Sequence, residues 1–322
     1  MKKLLLILLC TFSYTSVYAY SQKIIPGGES IGINISTKGV LITSFYYPSK
    51  DISSETLLAG DFIMEVNGYT INNIDNLMQK IRENVNDKNE VNLTINRNGK
   101  SFITKLTLKK EKDVYKTGLY VKDEITGIGT LSYIDPETKV YGALGHEIRE
   151  TNTSKRIEVK EGTIFKSDVT SIDKSTRGNP GGKNATFYKD KVLGDIKKNK
   201  NTGIFGSYSS NLDKDVVNIA SLDEVKLGKA YIKTVLSNNK IENYEINITK
   251  IEKENNTKNI IFTVTDKKLL SKTGGIVQGM SGSPIMQDNK IIGVVSHVVV
   301  DNPQNGYGIS IIKMLEEGDK LK

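Results

Sequence analysis

Hydrophobic and polar positions alternate with a period of two along much of this chain, and the helical period appears in few places. Val40-Leu-Ile-Thr-Ser-Phe45 has the β-branched and aromatic content of a strand. Gly60-Asp-Phe-Ile-Met-Glu-Val-Asn-Gly68 reads as a short strand closed by an Asn67–Gly68 turn. Behind Asn73, a suitable N-cap, Ile74, Leu77, Met78 and Ile81 recur at helical spacing. Val91–Asn96 alternates again, and Asn98–Gly99 turns it back into Ser101–Leu108. This small α+β pattern covers residues 23–110 and ends in a charged connector, Glu111–Thr117. Beyond it the period of two dominates. Strands are predicted at Gly127–Tyr133, Ala230–Val235, Tyr244–Ile251, Asn259–Val264 and Lys290–Val300, with a terminal helix over Ile309–Glu316. Many short strands with little helical patterning predict a β sandwich or barrel over residues 118–322.

Composition narrows this picture. At 322 residues, 37% hydrophobic and 25% charged, the chain supports two packed cores and is not disordered. The net charge of +8 comes from lysines scattered singly or in pairs, and Trp is absent, so a solvated surface is expected rather than a nucleic-acid footprint. Met1-Lys-Lys3, the apolar run Leu4–Cys10 and Val17-Tyr-Ala19 have the layout of an export signal over residues 1–19. Cleavage after Ala19 and retention as a membrane anchor are both open. Cys10, inside that signal, is the sole cysteine, which excludes a disulfide, a cysteine nucleophile and a cysteine–zinc site from the rest. With no metal-ligand cluster or phosphate loop in the pattern, no cofactor is expected.

The candidate chemistry centres on Gly275-Ile-Val-Gln-Gly-Met-Ser-Gly-Ser-Pro-Ile285. Ser281 lies in a glycine-framed turn that suits a nucleophile, and the Gly279 and Ser281 amides can point at one oxyanion. A plain Gly/Ser turn between strands has the same appearance. Ser283 is a weaker nucleophile candidate, because Pro284 behind it has no N–H to donate. A serine nucleophile needs a base, and the chain has two histidines. His146 follows the glycine-rich Gly142-Ala-Leu-Gly145, whereas His297 lies in an apolar strand where a packed role is expected. Glu147 beside His146 is expected to raise the imidazole pKa. For an orienting acid the residues leave Asp266, Asp168 and Asp173 open.

Two resemblances sharpen these readings. The order of elements over residues 23–110, with Gly60–Gly68 between strand and helix, resembles a PDZ domain. That resemblance implies a peptide added as an extra strand, with Ile31, Gly32 and Ile33 as the carboxylate-holding loop. The PDZ pattern, Gly127-Ile-Gly-Thr130, Gly142–His146, Gly178-Asn-Pro180, Gly203-Ile-Phe-Gly206 and Gln278–Pro284 together resemble the stage IV sporulation protein B peptidases. What the family implies is a chymotrypsin-like double β-barrel serine endopeptidase behind the PDZ domain, with Ser281 as nucleophile, His146 as base and Asp266 as acid. It further implies export to the space between forespore and mother-cell membranes and cleavage of the chain itself. The other substrate that the resemblance implies is a membrane regulatory protein, whose cleavage would trigger an intramembrane protease and a mother-cell sigma factor. The rival expectation is an exported, non-catalytic PDZ scaffold that binds peptide termini.

Overall fold

The computed structural model describes residues 20–46 and 57–321, so the expected export signal lies outside the described residues. Strand β1 (Lys23–Pro26) leads into a long β2 (Ser30–Phe45). A small unit follows: β3 (Phe62–Val66), β4 (Tyr69–Thr70), α1 (Ile74–Asn84), β5 (Glu90–Arg97) and β6 (Lys100–Thr107). The hairpin β7 (Lys109–Glu111) and β8 (Val114–Lys116) leads to a second long strand, β9 (Leu119–Ile134). Then come β10 (Val140–Ala143), β11 (Val159–Asp173), β12 (Gly182–Asp195), β13 (Lys198–Lys200) and β14 (Gly203–Ser207). The last part holds β15 (Val217–Ile219), β16 (Gly228–Val235), β17 (Ile241–Ile251), β18 (Ile260–Val264), α2 (Lys267–Thr273), β19 (Pro284–Gln287), β20 (Lys290–Val298), β21 (Asn305–Ser310) and α3 (Ile311–Asp319).

The alternating side chains of these strands bury into separate cores. Val40, Ile42, Ile63, Val66, Leu93 and Ile95 pack under Leu77 and Ile81 of α1, forming the PDZ-like unit. Ile31, Ile33, Ile35, Leu131, Tyr141, Ile164 and Ile204 fill a first barrel. Ile232, Tyr244, Ile246, Phe262, Ile285 and Val295 fill a second. Between the barrels, Ile24, Tyr133, Phe205, Ile291 and Val294 meet Ile311, Met314 and Leu315 of α3. The fold is therefore mainly β, as the alternation predicts. The Asn67–Gly68 and Asn98–Gly99 turns are both left-handed at their two residues, as such a hairpin turn requires. Asn73 caps α1 by accepting from the Asn76 N–H at 2.8 Å.

The expected boundaries at residues 23 and 110 need correction, because β2 and β9 each belong to two cores. They pair antiparallel from Ser30↔Thr130 to Ser36↔Glu124, and after an irregularity from Leu41↔Lys122 to Phe45↔Leu119. Thr37 marks the break, its hydroxyl donating to the Gly39 carbonyl at 2.7 Å. The first stretch of β2 builds the first barrel and the last stretch builds the PDZ-like unit, which is thus an insertion carried on a strand pair.

This geometry also corrects the expected peptide loop. Ile31, Gly32 and Ile33 sit inside β2, opposite Gly129, Ile128 and Gly127 of β9 on one side. On the other side they face Lys166, Phe165 and Ile164 of β11. Both edges are paired, so no strand can add there. Gly32 is glycine for packing: a Cβ would lie 2.0 Å from the Phe165 ring.

Candidate active site

Ser281 lies in the turn that enters β19, and the turn is stitched to both barrels. Gly282 N–H donates to the Val295 carbonyl at 2.7 Å, and Val295 N–H returns to the Ser283 carbonyl at 2.9 Å. Gly282 has φ +94°, and a Cβ there would lie 2.1 Å from the Thr130 oxygen and 2.6 Å from the Leu144 nitrogen. Only glycine admits this approach, which brings the serine turn against the loop that carries His146. Ser281 is partly exposed, whereas Ser283 is fully buried, and this places Ser281 and not Ser283 where a substrate can reach.

Three successive peptide planes around Ser281 are pinned. In a planar trans peptide the carbonyl and the following N–H point to opposite sides. The Gln278 carbonyl accepts from Lys183 N–H at 2.9 Å, which turns the Gly279 N–H away from β12. The Met280 carbonyl accepts from Ser283 N–H at 3.0 Å, which turns the Ser281 N–H outward as well. Between them, Met280 N–H donates to the Val277 carbonyl at 3.1 Å. The Thr130 hydroxyl donates to the Gly279 carbonyl at 2.7 Å. Thr130 also donates its own N–H to the Ser281 carbonyl at 3.0 Å. The Gly279 and Ser281 amides have no hydrogen-bond partner among the described residues. Two adjacent donors held without partners next to a serine hydroxyl are what an oxyanion site needs.

His146 arrives at the same junction from β10. Leu144 and Gly145 take left-handed backbone conformations, at φ +72° and +69°, and turn the chain sharply out of the strand. The His146 Nδ1 lies 2.8 Å from its neighbour's carbonyl, that of Glu147. With the proton on Nδ1 donated there, Nε2 is left as an acceptor, the tautomer a general base requires. Burial pushes the His146 pKa down, opposed by the Glu147 carbonyl bond and the Glu147 charge. The expected upward shift from Glu147 is thus outweighed, and its carboxylate is held by Arg149 instead. His297 is nearer the site than its apolar strand implies: its ring centroid lies 5.3 Å from that of His146. Burial, with the charges of His146 and Lys258 adding, lowers its pKa to about 4. The Ser281 hydroxyl donates to the Ser296 carbonyl at 3.2 Å rather than to an imidazole.

Asp266 is not brought to the imidazole. Its carboxylate caps α2, accepting from Leu269 N–H at 2.8 Å and from Glu245 N–H at 3.4 Å. The physical reason is local: Asp266 opens a helical run closed by Gly274, and both carboxylate oxygens are used by backbone donors. Asp168 accepts from Tyr188 at 3.2 Å and Asp173 from Asn184 at 3.0 Å, while the Nδ1 of His146 is bonded to the Glu147 carbonyl and to neither of them. The chain leaving His146 is held by the buried Asn199. Its amide accepts from Ile148 N–H at 2.8 Å and donates to the Ile148 and Ile157 carbonyls at 2.8 and 2.9 Å. Sequence reasoning missed Asn199, Thr130 and Lys183. Lys183 is buried with its stem against Gly279, where a Cβ would lie 3.2 Å from its Cβ and Cδ. Its ammonium donates to the buried Thr234 hydroxyl at 2.9 Å, and burial lowers its pKa to about 7. Of these three, only Thr130 lies in one of the glycine motifs of the sequence, Gly127-Ile-Gly-Thr130.

Two barrels with a pinned serine turn and a histidine loop at their junction define a protein of the serine-peptidase class. The chain belongs to the family described as SpoIVB peptidase S55, whose model matches residues 113–315, and it is a serine protease. Among solved structures, the PDZ domain of the SdrC-like protein from Listeria monocytogenes is 19% identical. It covers 28% of this chain and 93% of its own, with a TM-score of 0.24. The active form of the Rv3671c protease from M. tuberculosis is 14% identical, covering 58% of this chain and 70% of its own, with a TM-score of 0.32. Its Ser343Ala mutant, an inactive form, is 13% identical, covering 61% of this chain and 83% of its own, with a TM-score of 0.33. No curated protein matches the chain. Among the described residues no helix is long and apolar enough to cross a membrane.

Proposed function

We propose that this chain is an exported serine endopeptidase of sporulation whose nucleophile is Ser281 and whose general base is His146. The observation that carries the residue assignment is the pinned turn: two amides without partners among the described residues, beside a partly exposed serine and packed against the histidine loop. Attack begins when the Ser281 hydroxyl turns from the Ser296 carbonyl toward Nε2 of His146, which takes its proton. The Gly279 and Ser281 amides receive the oxyanion, and water later releases the acyl-enzyme. The Glu147 carbonyl fills the orienting place expected of Asp266, since it holds the Nδ1 proton. The proposed substrates are the chain itself and the extracytoplasmic part of a membrane regulatory protein, cut in the space between forespore and mother cell. That cut would release an intramembrane protease to act on a mother-cell sigma factor. The proposal includes membrane association through the N-terminus and no nucleic-acid partner.

A second reading, the non-catalytic scaffold, draws on one observation: the Ser281 hydroxyl is bonded to a backbone carbonyl and not to the base. A fluorophosphonate probe separates the two. The intact chain is expected to be labelled at Ser281, with labelling and self-cleavage both lost in Ser281→Ala and labelling kept in Ser283→Ala. Intact-mass spectrometry reads both. An unlabelled, uncleaved wild-type chain would leave the scaffold standing.

A further inference from the structure

A cleft of about 630 Å³ runs between the PDZ-like unit and the first barrel and reaches Glu147, the residue after His146. Its floor includes Phe62 and Met64, and its rim carries Lys38, Arg149, Lys155 and Arg156. Two carboxylates, Glu147 and Glu158, also line it. Glu147 is shared between Arg149 and, more loosely at 3.9 Å, Arg156, so one negative charge faces two guanidinium groups. Lys155 is bonded to the neutral Asn98 amide and has no ion-pair partner among the described residues. Lys38 is exposed on the opposite wall. The cleft is therefore electropositive, with a partly apolar floor, and its lining comes within one residue of the candidate base along the chain.

We infer that this cleft is an extension of the substrate site that binds an extended, acidic segment of the polypeptide to be cut. This rests on the serine-endopeptidase reading, because it is adjacency to His146 that makes a polypeptide the occupant. Aliphatic side chains of such a segment would lie on Phe62 and Met64 while its carboxylates meet the rim cations. One wall of the cleft comes from each unit.

Binding tests this without catalysis. Fluorescently labelled peptides carrying either a Glu pair or a Gln pair, placed on each side of the scissile bond in two series, are titrated into full-length Ser281→Ala protein. At low salt one Glu series is expected to bind about five- to tenfold more tightly than its Gln partner, a gap that shrinks at high salt. The gap is expected to close when Lys38→Glu and Lys155→Glu are added, with folding verified by circular dichroism. Equal affinities for Glu and Gln peptides, or a gap that persists in the charge-reversed protein, would overturn the inference. Cleavage of the Gln peptides by the intact chain tests the peptidase reading separately, so its failure is distinguishable from failure of the cleft.

Discussion

Thr130 holds more of the candidate site than its place in a strand implies. Its hydroxyl and its N–H bind the carbonyls of Gly279 and Ser281, and its own carbonyl accepts from Leu144 N–H at 3.3 Å. One residue thus ties the serine turn to the histidine loop, and its hydroxyl is the side-chain contact among the bonds that orient the oxyanion amides. Thr130→Val keeps the shape and removes the hydroxyl. It is expected to lower kcat about ten- to hundredfold with KM little changed, while Thr130→Ser retains most of the rate. Steady-state kinetics on both variants checks this, and equal losses in Val and Ser would indicate a packing role. Ser283 illustrates the opposite case: its neighbours resemble those of Ser281, yet its hydroxyl is buried without a partner among the described residues.

At the scale of elements, α2 decides the reading of Asp266. The seven-residue helix is capped at one end by Asp266 and closed at the other by Gly274 at φ +73°. A cap of this kind contributes about 1 kcal/mol. Asp266→Ala is therefore expected to lower Tm by about 2 °C and leave turnover near normal. Thermal unfolding and peptide hydrolysis on the same sample test it. A loss of orders of magnitude in turnover at unchanged Tm would return Asp266 to the orienting role. The long strands β2 and β9 show the same dependence on context. Each reads locally as ordinary alternation, and only their mutual pairing reveals that each serves two cores.

Across the whole molecule, the site lies at the junction of the two barrels, and ionisable groups there are wholly or partly buried. Two of them link stability to pH. The pKa of Lys183 falls from 10.5 to about 7 on folding, so between these values the unfolded chain binds the additional proton and stability rises with pH. The pKa of His297 falls from 6.5 to about 4, so stability likewise falls as pH drops through that window. Lys183→Met is expected to flatten the alkaline rise, and His297→Leu the acid fall, each relative to wild type in Tm measured across pH. Parallel curves for variant and wild type would count against the buried-charge account.

Local pattern determined much by itself. Alternation implied a mainly β chain, Asn-Gly pairs and Asn73 marked turns and a helix start, and the glycines around Ser281 and His146 marked positions of unusual backbone. These features depend on short stretches, where side-chain periodicity and φ preferences act within a few residues. The tertiary structure decided the rest. It paired Ile31–Ile33 on both edges, placed His297 beside His146, spent Asp266 on a helix cap and brought Thr130, Lys183 and Asn199 to the site. Each of those outcomes depends on strands distant in the chain becoming neighbours, and on which donor then satisfies a buried acceptor. Composition and periodicity carry no record of that choice.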